Sequence, residues 1–337
     1  MDSNLTLALI GTSGIAPTYA ALLHDLDDVS LAWVHSRSLE RAKAFAARSG
    51  IPHCTATLAT LFSDPQLDGV LIVTEPHRHL DIAFQALAAG KHMLIEKPLD
   101  VDLQKAAHFC AAAQDFQGVI SVVSQKRFDP VLQAMKAHLS HEAAGLPKTV
   151  QLSMLWHRDA AYYAKGTGWR TRHSAVFLNQ GIHWLDVLNW LFGVPSRIQV
   201  ISRKTRNFLE CADQTTAILD YPDKTSAAIC GGTFCSRSYP DRFTIYSPTH
   251  CLDYGEYFLQ RYPAPVKTPW YHRLKHPFTP PAPPPGEPFP DLLALQLQDF
   301  LEAIRQNRPP VTTLDAAWHA LNVAHALSEL PHEPVDT

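Results

Sequence analysis

The chain has 337 residues, of which 46% are hydrophobic and 18% charged, and its net charge at neutral pH is −3. This length predicts two domains, and the composition excludes a disordered or coiled-coil chain. The small negative charge gives no reason to expect nucleic acid or an anionic membrane as a partner.

The cysteines and the amino terminus bear on location. Six cysteines occur without a Cys-x-x-Cys pair, which predicts reduced thiols in a cytosol rather than disulfides. The amino terminus lacks the basic and apolar segments of a secretory signal, and no run of 18 apolar residues predicts a transmembrane helix. We therefore expect a cytoplasmic protein.

The first part of the chain alternates short apolar runs with amphipathic stretches, which is typical of β-α units that build a parallel sheet. Strands are predicted at residues 5–10, 29–35, 69–73, 92–95 and 119–124. Amphipathic helices at 38–49 and 82–89 end at Gly50 and Gly90. The pattern predicts a doubly wound Rossmann domain over residues 1–124.

A glycine-rich turn follows the first predicted strand and opens a helix. In that setting backbone N–H groups and the helix dipole can bind a pyrophosphate, which makes Gly11, Ser13, Gly14 and Ile15 candidate cofactor contacts. Ser13 stands where a dinucleotide fingerprint usually has its second glycine. A tight β-α turn in an α/β protein of another function is the alternative interpretation.

The end of the second predicted strand bears on cofactor choice. An NAD-binding unit normally offers an acidic residue to the ribose hydroxyls there, whereas this chain has Ser36 and Arg37, with Arg41 one helical turn later. These side chains could bind a 2′-phosphate, which favours NADP over NAD. Solvated charges at a helix start are the alternative.

Two further strand ends carry polar residues. After the third strand, Thr74, Pro76 and His79 are candidate contacts to the nicotinamide-side ribose, although His79 could instead face the surface. His77 and His79 form only a weak metal motif, because no third ligand is near in sequence. After the next strand, Glu96 and Lys97 stand before Pro98 at the sheet edge where α/β proteins bind their ligands.

After residue 130 the pattern changes to alternating β-rich runs. They are predicted at residues 149–156, 196–203, 215–221, 225–233 and 241–247. We expect an open, mainly antiparallel sheet that one helix at 176–192 covers on one face. The uncovered face predicts a homodimer or homotetramer.

The predicted helix carries a polar stripe among apolar residues. Asn179, His183 and Asp186 fall on one helical face, where buried polar groups must bind one another or a ligand. His183 is suited to proton transfer near neutral pH, while a buried histidine paired with Asp186 is the alternative. Upstream, Trp169 and Arg170 could line a polar cleft beside Tyr162 and Tyr163.

The carboxyl-terminal part begins with a proline-rich segment, residues 263–290, which predicts an extended connecting arm or a polyproline ligand. Closing helices are predicted at 291–306 and 314–329. We assign residues 125–337 to a second, α+β domain for substrate binding and oligomerisation, with these helices packing back on the body.

The order of these motifs resembles the Gfo/Idh/MocA oxidoreductase family through nearly the whole chain. The matching segments are Gly11-Thr12-Ser13-Gly14-Ile15-Ala16, Ser38-Leu39-Glu40-Arg41-Ala42, Glu96-Lys97-Pro98, Gln125-Lys126-Arg127-Phe128-Asp129-Pro130, Trp169-Arg170, Asn179-Gln180-Gly181-Ile182-His183-Trp184-Leu185-Asp186, Gln298-Asp299-Phe300 and Arg308-Pro309-Pro310. Two segments, Glu75-Pro76-His77 and His173-Ser174-Ala175, depart from the family pattern where substrate and nicotinamide should lie.

The resemblance implies hydride transfer between nicotinamide and a hydroxyl or carbonyl carbon of a cyclic polyol, sugar or sugar derivative. Lys97 and His183 would be the catalytic pair, Asn179 would orient groups through hydrogen bonds, and Gln125, Trp169 and Arg170 would contact the cofactor. Two alternatives remain: a dinucleotide-binding regulator without catalysis, and an NADPH-dependent reductase of a non-sugar carbonyl or imine.

Overall fold

The structure is a computed structural model that describes residues 4–12, 14–142, 145–165, 167–255, 258–263 and 291–329. Ser13 and nearly all of the proline-rich segment, residues 264–290, therefore lie outside the described residues. Within the described ranges the chain divides into two units. The first contains residues up to Gln125 together with Leu292–Leu321, and the second contains Lys126–Asp291 and the residues from Asn322 onward.

The first unit is a parallel α/β sheet. In chain order its elements are β1 (Leu5–Ile10), α1 (Ala16–His24), β2 (Val29–His35), α2 (Leu39–Ser49), β3 (His53–Thr55), α3 (Leu58–Phe62), β4 (Gly69–Ile72), α4 (His79–Ala88), β5 (His92–Ile95), α5 (Leu103–Ala112) and β6 (Ile120–Val122). The strand order β3-β2-β1-β4-β5-β6, with all neighbours parallel, is the doubly wound order and confirms the predicted Rossmann class.

Burial explains why β4 forms, and capping explains where α2 begins and ends. Strand β4 is buried at every residue, as a strand covered on both faces must be. Helix α2 begins where the Ser38 hydroxyl accepts a hydrogen bond from the Arg41 backbone N–H at 3.3 Å, and it ends at Gly50 with φ 67°. The predicted helix at 38–49 is therefore confirmed at both ends.

The second unit contains a mixed sheet and several helices. Its elements are α6 (Pro130–Ser140), β7 (Lys148–Leu155), α7 (Ala160–Ala164), α8 (Trp169–His173), α9 (Val176–Asn179), α10 (Ile182–Phe192), β8 (Arg197–Arg203), β9 (Gln214–Tyr221), β10 (Thr225–Gly232), β11 (Arg242–Tyr246), β12 (His250–Gly255) and β13 (Phe258–Pro263). The strand order is β13-β12-β11-β7-β10-β9-β8, and only the β7–β10 pair is parallel among these neighbours. The mainly antiparallel class is confirmed.

The strands of this sheet alternate between buried and accessible residues. Along β7 every second side chain is buried; of the intervening ones, Thr149 and Gln151 are exposed and Ser153 and Leu155 are half-buried. On β9 the exposed Ile218 is paired with Gln199 of β8. One face therefore packs on the unit's core and the other is open, as the sequence predicted.

The predicted helix at 176–192 is interrupted. The Gly181 N–H bonds to the Val176 carbonyl, five residues back, at 2.9 Å, which separates α9 from α10. A Cβ at Gly181 would lie 2.4 Å from a ring carbon of Phe177, so glycine allows the aromatic ring to pack against the break. Asn179 and His183 consequently lie on consecutive short helices instead of one regular face.

The last two helices are α11 (Leu292–Gln306) and α12 (Leu314–Ala326). Helix α11 belongs to the first unit, because Leu293, Leu297 and Phe300 join its hydrophobic core. The boundary between the two units falls within α12. This differs from the expected division, which assigned every residue from 125 onward to the second domain. Within the described residues no helix is long and apolar enough to cross a membrane.

Candidate active site

The glycine turn of the first unit lies at the carboxyl edge of the parallel sheet, where β1 and β4 are neighbours and the strand order reverses. Gly11 has φ 119°, and a Cβ there would lie 2.8 Å from the Val73 carbonyl oxygen. Its N–H donates to the His35 carbonyl at 3.0 Å. Glycine is therefore required for the turn to lie this close to the end of β4.

The turn continues into α1. Gly14 has φ 62°, and Ile15, which packs against the core of the first unit, is the N-cap of the helix. The side chain of Ile15 makes no capping hydrogen bond to the first N–H groups of α1. Those backbone donors are the groups that hold a pyrophosphate in dinucleotide-binding turns.

Beyond β2, the Ser36 side chain is buried and its backbone N–H donates to the Thr55 carbonyl at 3.2 Å. Arg37 and Arg41 are exposed, one before and one inside the first turn of α2. The structure thus places two cations after the strand whose end carries ribose recognition in Rossmann domains, while the strand-end residues His35 and Ser36 carry no carboxylate and Glu40 lies in the first turn of α2.

His79 does not lie where the sequence reading expected it. Its side chain is 0% exposed, and its ring nitrogens lie 2.9 Å from the Pro98 carbonyl and 3.0 Å from the Thr74 carbonyl. Burial lowers the pKa of the ring and outweighs the effect of these carbonyls, which raise it. His79 therefore lies buried between the loops after β4 and β5, where the neutral ring can donate to one of the two carbonyls, and the alternative of a surface position is wrong. Pro76 is buried in a 3₁₀ turn beside it.

Glu96 and Lys97 follow β5 at the same sheet edge. The Glu96 carboxylate accepts from the Tyr19 hydroxyl of α1 at 3.0 Å and from the Lys97 backbone N–H at 3.1 Å. Burial and the neighbouring Glu96 charge raise the pKa of Tyr19 well above its usual value, so the phenol remains a donor. Through Glu96, the backbone of the half-buried Lys97 is thus linked to α1, the helix that follows the glycine turn.

Gln125 follows β6 at the start of a 3₁₀ turn.

In the second unit, the side-chain amide of Asn179 is buried and oriented. Its Nδ2 donates to the Tyr162 hydroxyl at 3.2 Å and to Ser174 Oγ at 2.5 Å. The neighbouring Gln180 Nε2 donates to the same phenol at 3.1 Å. Tyr162 therefore accepts from two amides directly before the helix that carries His183.

His183 is half-buried in the first turn of α10, and Asp186 fixes that helix. Arg127 Nε and Nη2 donate to Asp186 Oδ2 and Oδ1, both at 2.7 Å, in a bidentate and buried pair. Asp186 thus pairs with an arginine that the sequence analysis had quoted only as part of a motif.

A second set of contacts to α10 is made through Trp184. Trp184 Nε1 donates to Asp241 Oδ2 at 2.6 Å, and the Lys126 ammonium lies 4.1 Å from the centre of the Trp184 indole. Asp241 also accepts from Trp156 Nε1 at 2.9 Å. Sequence reasoning missed Asp241, because nothing in its local pattern distinguishes it from a solvated loop carboxylate.

Two arginines flank Tyr162. The Arg170 guanidinium lies 5.3 Å from the centre of its ring and 4.9 Å from that of Trp169, while Arg158 lies 5.2 Å from Tyr162. Arg170 Nη1 also donates to the Lys165 carbonyl at 3.0 Å. Trp169 and Arg170 were predicted site residues, and the structure adds Arg158, which gives this region a positive charge suited to an anionic group.

Comparison with known sequences identifies the family. A family model described as oxidoreductase family, NAD-binding Rossmann fold matches residues 5–124, and one for the GFO/IDH/MocA C-terminal domain matches residues 132–252. The chain belongs to the Gfo/Idh/MocA oxidoreductase family. The family resemblance stated from the motifs is thereby confirmed, as is an NAD-binding Rossmann domain.

Two characterised or named relatives show how far this chain differs in sequence from known proteins. An uncharacterized oxidoreductase of Escherichia coli, YdgJ, is 27% identical over 254 residues, which is 73% of this chain and 70% of that protein. The trans-1,2-dihydrobenzene-1,2-diol dehydrogenase of Sus scrofa is 27% identical over 191 residues, or 56% of each chain. The chain thus matches little more than half the length of the second relative.

A solved structure shows the shared fold. The WlbA dehydrogenase of Bordetella pertussis, in complex with NADH and UDP-GlcNAcA, superposes with a TM-score of 0.82 at 18% identity and covers 97% of this chain and 95% of its own. At this identity the superposition establishes the family's fold for both units and nothing about the ligand of this chain.

The residues of the first unit fit a dinucleotide. A Cβ at Gly11 would fill the space next to β4 through which the turn approaches the sheet edge. At the same edge Thr74 Oγ1 is buried and has no hydrogen-bond partner among the described residues. Both features suit a nucleotide that lies over the strand ends and supplies a partner to this hydroxyl.

Proposed function

We propose that this chain is an NADP(H)-dependent oxidoreductase that interconverts a hydroxyl and a carbonyl on a cyclic polyol, sugar or sugar derivative. The observation that carries the proposal is the position of Lys97, directly after β5 at the ligand-binding edge of the dinucleotide sheet and anchored through Glu96 to α1. A diol dehydrogenase among the relatives and a dehydrogenase bound to a sugar nucleotide among the similar structures support this substrate class.

The proposed mechanism divides two tasks between two side chains. When bound, the nicotinamide supplies the acceptor or donor of hydride. In the oxidative direction, His183 takes the proton of the reacting hydroxyl while Lys97 stabilises the negative charge that develops on that oxygen. Asn179 cannot take a proton, and we assign it, together with Arg170, to positioning through hydrogen bonds and charge.

The test is replacement of each of the two residues in the full chain. We expect Lys97→Met and His183→Gln to lower kcat by about 10²- to 10⁴-fold while NADPH binding is retained. The exposed Lys43→Met and His24→Gln are matched controls that should keep full activity. Unchanged turnover in Lys97→Met would refute the assignment, and NADPH binding without turnover on any polyol, sugar or carbonyl would favour the regulatory alternative.

The preference for NADP over NAD is part of the proposal and rests on Arg37 and Arg41. Two exposed guanidiniums after β2 suit a 2′-phosphate, and the strand-end residues His35 and Ser36 offer no carboxylate for a free ribose hydroxyl. We expect Arg37→Ala and Arg41→Ala to weaken NADPH binding at least tenfold and to leave NADH binding nearly unchanged. Tighter NADH than NADPH binding by the wild type would contradict the preference.

We further propose that the open face of the second sheet packs against a second copy of the chain, giving a homodimer or homotetramer. The face carries exposed Ile201, Ile218 and Tyr246, at 58%, 46% and 43% of full exposure. Between its strands lies a wide depression of about 970 Å³. A sheet face of this extent with apolar side chains at its surface is typical of an interface.

A further inference from the structure

Three side chains of the kinds that bind metal ions lie close together in the second unit, and none of them is assigned to the proposed function. His138 belongs to the last turn of α6, Glu142 follows that helix, and His250 begins β12. One ligand-capable atom from each lies within 4.8 Å of those of the other two. Within the ranges that the structure describes, this is the one group of three histidine, cysteine or acidic residues that meets in this way.

The two imidazoles stand at the spacing of neighbouring metal ligands. His138 Nε2 lies 3.4 Å from His250 Nδ1, and the ring planes are inclined at 87°. Two nitrogens at about 2.0–2.1 Å from a tetrahedral zinc ion are roughly 3.3–3.4 Å apart. The side chain of His250 is only 2% exposed, so its position is fixed by the surrounding fold.

The carboxylate completes a mixed nitrogen and oxygen donor set. Glu142 Oε1 lies 3.3 Å from His250 Nε2, the ring nitrogen other than the one that faces His138, and a carboxylate oxygen of Glu142 lies within 4.8 Å of one ligand atom of each histidine. The Thr249 hydroxyl lies 3.3 Å from that oxygen and 2.9 Å from His250 Nδ1, so the carboxylate and the imidazole share a hydroxyl neighbour. One donor atom from each of the three side chains therefore lies within 4.8 Å of the other two, near the end of α6 and the turn that joins β11 to β12.

A buried lysine orients the carboxylate from its other side. The Lys148 ammonium lies 3.8 Å from Glu142 Oε2, and both side chains are 7% exposed. A second carboxylate, Asp223, lies 3.8 Å from the same ammonium and offsets its charge. Outer groups that hold a ligand in this way are a regular feature of metal sites, and here Oε1 is the oxygen directed at the histidines.

We propose that His138, Glu142 and His250 bind a divalent transition-metal ion, and that the ion is zinc. Two imidazoles and one carboxylate are a ligand set that zinc accepts, with a fourth position for water or the Thr249 hydroxyl. Because α6 and the β11–β12 turn are distant in sequence, the ion would clip them together and stabilise the folded second unit by mass action.

The experiment uses the full-length protein after treatment with a chelator. Zinc is titrated against a chromophoric competitor, and Co²⁺ is titrated separately, because tetrahedral cobalt has strong visible absorption that reports N and O ligands directly. We expect one equivalent of zinc, tetrahedral cobalt bands, and a rise in the melting temperature on zinc addition. Far-ultraviolet circular dichroism serves as the check that each preparation is folded.

Variants identify the ligands. His138→Gln, Glu142→Gln and His250→Gln should each weaken zinc binding at least tenfold and abolish the cobalt bands, whereas the exposed neighbour His141→Gln should behave as the wild type. Wild-type protein that shows no cobalt bands and takes up no zinc above the level of His250→Gln would overturn the proposal, as would equal loss in His141→Gln. The wild-type spectrum decides the question even where a variant fails to fold.

Discussion

Gly11 of the first unit has little freedom to change. Its φ of 119° is unfavourable for any side chain, and an added Cβ would lie 2.8 Å from the Val73 carbonyl oxygen, which belongs to the backbone and cannot turn away. We expect Gly11→Ala to destabilise the first unit by about 2–4 kcal/mol and to abolish NADPH binding. Chemical denaturation and a cofactor titration measure the two effects.

Gly50 provides the control for this substitution. It also has positive φ, 67°, but nothing lies within 4 Å of an added Cβ. Gly50→Ala should therefore cost only about 1 kcal/mol and leave cofactor binding intact. Equal effects of the two substitutions would mean that backbone conformation alone, and not the close approach to β4, makes Gly11 necessary.

The burial of His79 predicts how the stability of the fold depends on pH. Burial holds its pKa below the usual value of 6.5, so below that pH the unfolded chain binds a proton that the folded chain does not. Stability should therefore fall as the pH drops from 6.5 towards the folded pKa, by up to about 1.4 kcal/mol per pH unit for this group. The urea concentration at the denaturation midpoint, measured from pH 7.5 to 5, would show this fall in stability.

The variant for this measurement is His79→Gln, which has no titrating group. Burial also lowers the pKa values of His35 and His92, so the variant should show a shallower acid dependence and not a flat one. An unchanged slope would show that His79 takes up its proton in the folded state.

Among the elements, α10 depends on one buried ion pair. Both carboxylate oxygens of Asp186 are bound by Arg127, and the residue is 4% exposed. Asp186→Asn keeps the shape but leaves a buried guanidinium without its counter-charge, which should cost about 3–5 kcal/mol in the unfolding of the second unit. Asp315→Asn, whose partner His319 is an exposed contact at 3.5 Å, should change stability by less than about 0.5 kcal/mol.

A urea titration followed by tryptophan emission measures both variants, since Trp184 adjoins the pair in sequence. A loss below about 1 kcal/mol for Asp186→Asn would contradict a structural role for the pair. It would mean that water reaches Arg127 in the folded protein.

The elements also show which features a sequence can predict. The ends of α2 were readable, because Ser38 and Gly50 act through their own backbone neighbours. The break between α9 and α10 was not, since Gly181 has ordinary helical φ and its necessity arises from the packing of Phe177. The parallel β7–β10 pair was also missed, because an alternating strand pattern contains no information about the direction of its neighbour.

For the candidate site the limit is similar. The sequence indicated Lys97 and His183 by their places after a strand and on a helix, and those places depend on local pattern. Arg127 and Asp241 contact α10 from positions 59 and 57 residues away in the chain, so these contacts became visible only in the folded unit. Tyr162, which the sequence had placed beside a cleft, lies 17 residues from Asn179 and contacts α9.

For the whole molecule, the division into units shows what periodicity cannot specify. The apolar positions of α11 predicted an amphipathic helix, but any core of suitable shape could receive it, and Leu293, Leu297 and Phe300 pack in the first unit. Family membership could be predicted from the sequence, because it rests on the order of many motifs along the chain and needs no knowledge of contacts.

The proposed assembly is tested at the same scale. Ile218→Lys places a charge on the open sheet face, so we expect the mass measured by light scattering to fall from a dimer or tetramer to the 37.5 kDa monomer. Leu39→Lys, at an exposed leucine of the first unit, is the control and should leave the mass unchanged. A monomeric wild type would exclude the assembly.

The indole of Trp184 gives the second unit a built-in optical reporter. It is 1% exposed, its N–H is bound to Asp241, and the Lys126 ammonium lies over its ring, so its emission should be blue-shifted and sensitive to the position of that charge. Because Trp184 directly follows His183, a ligand that moves the start of α10 should change this emission. Substrate candidates can then be screened by fluorescence before any turnover is known.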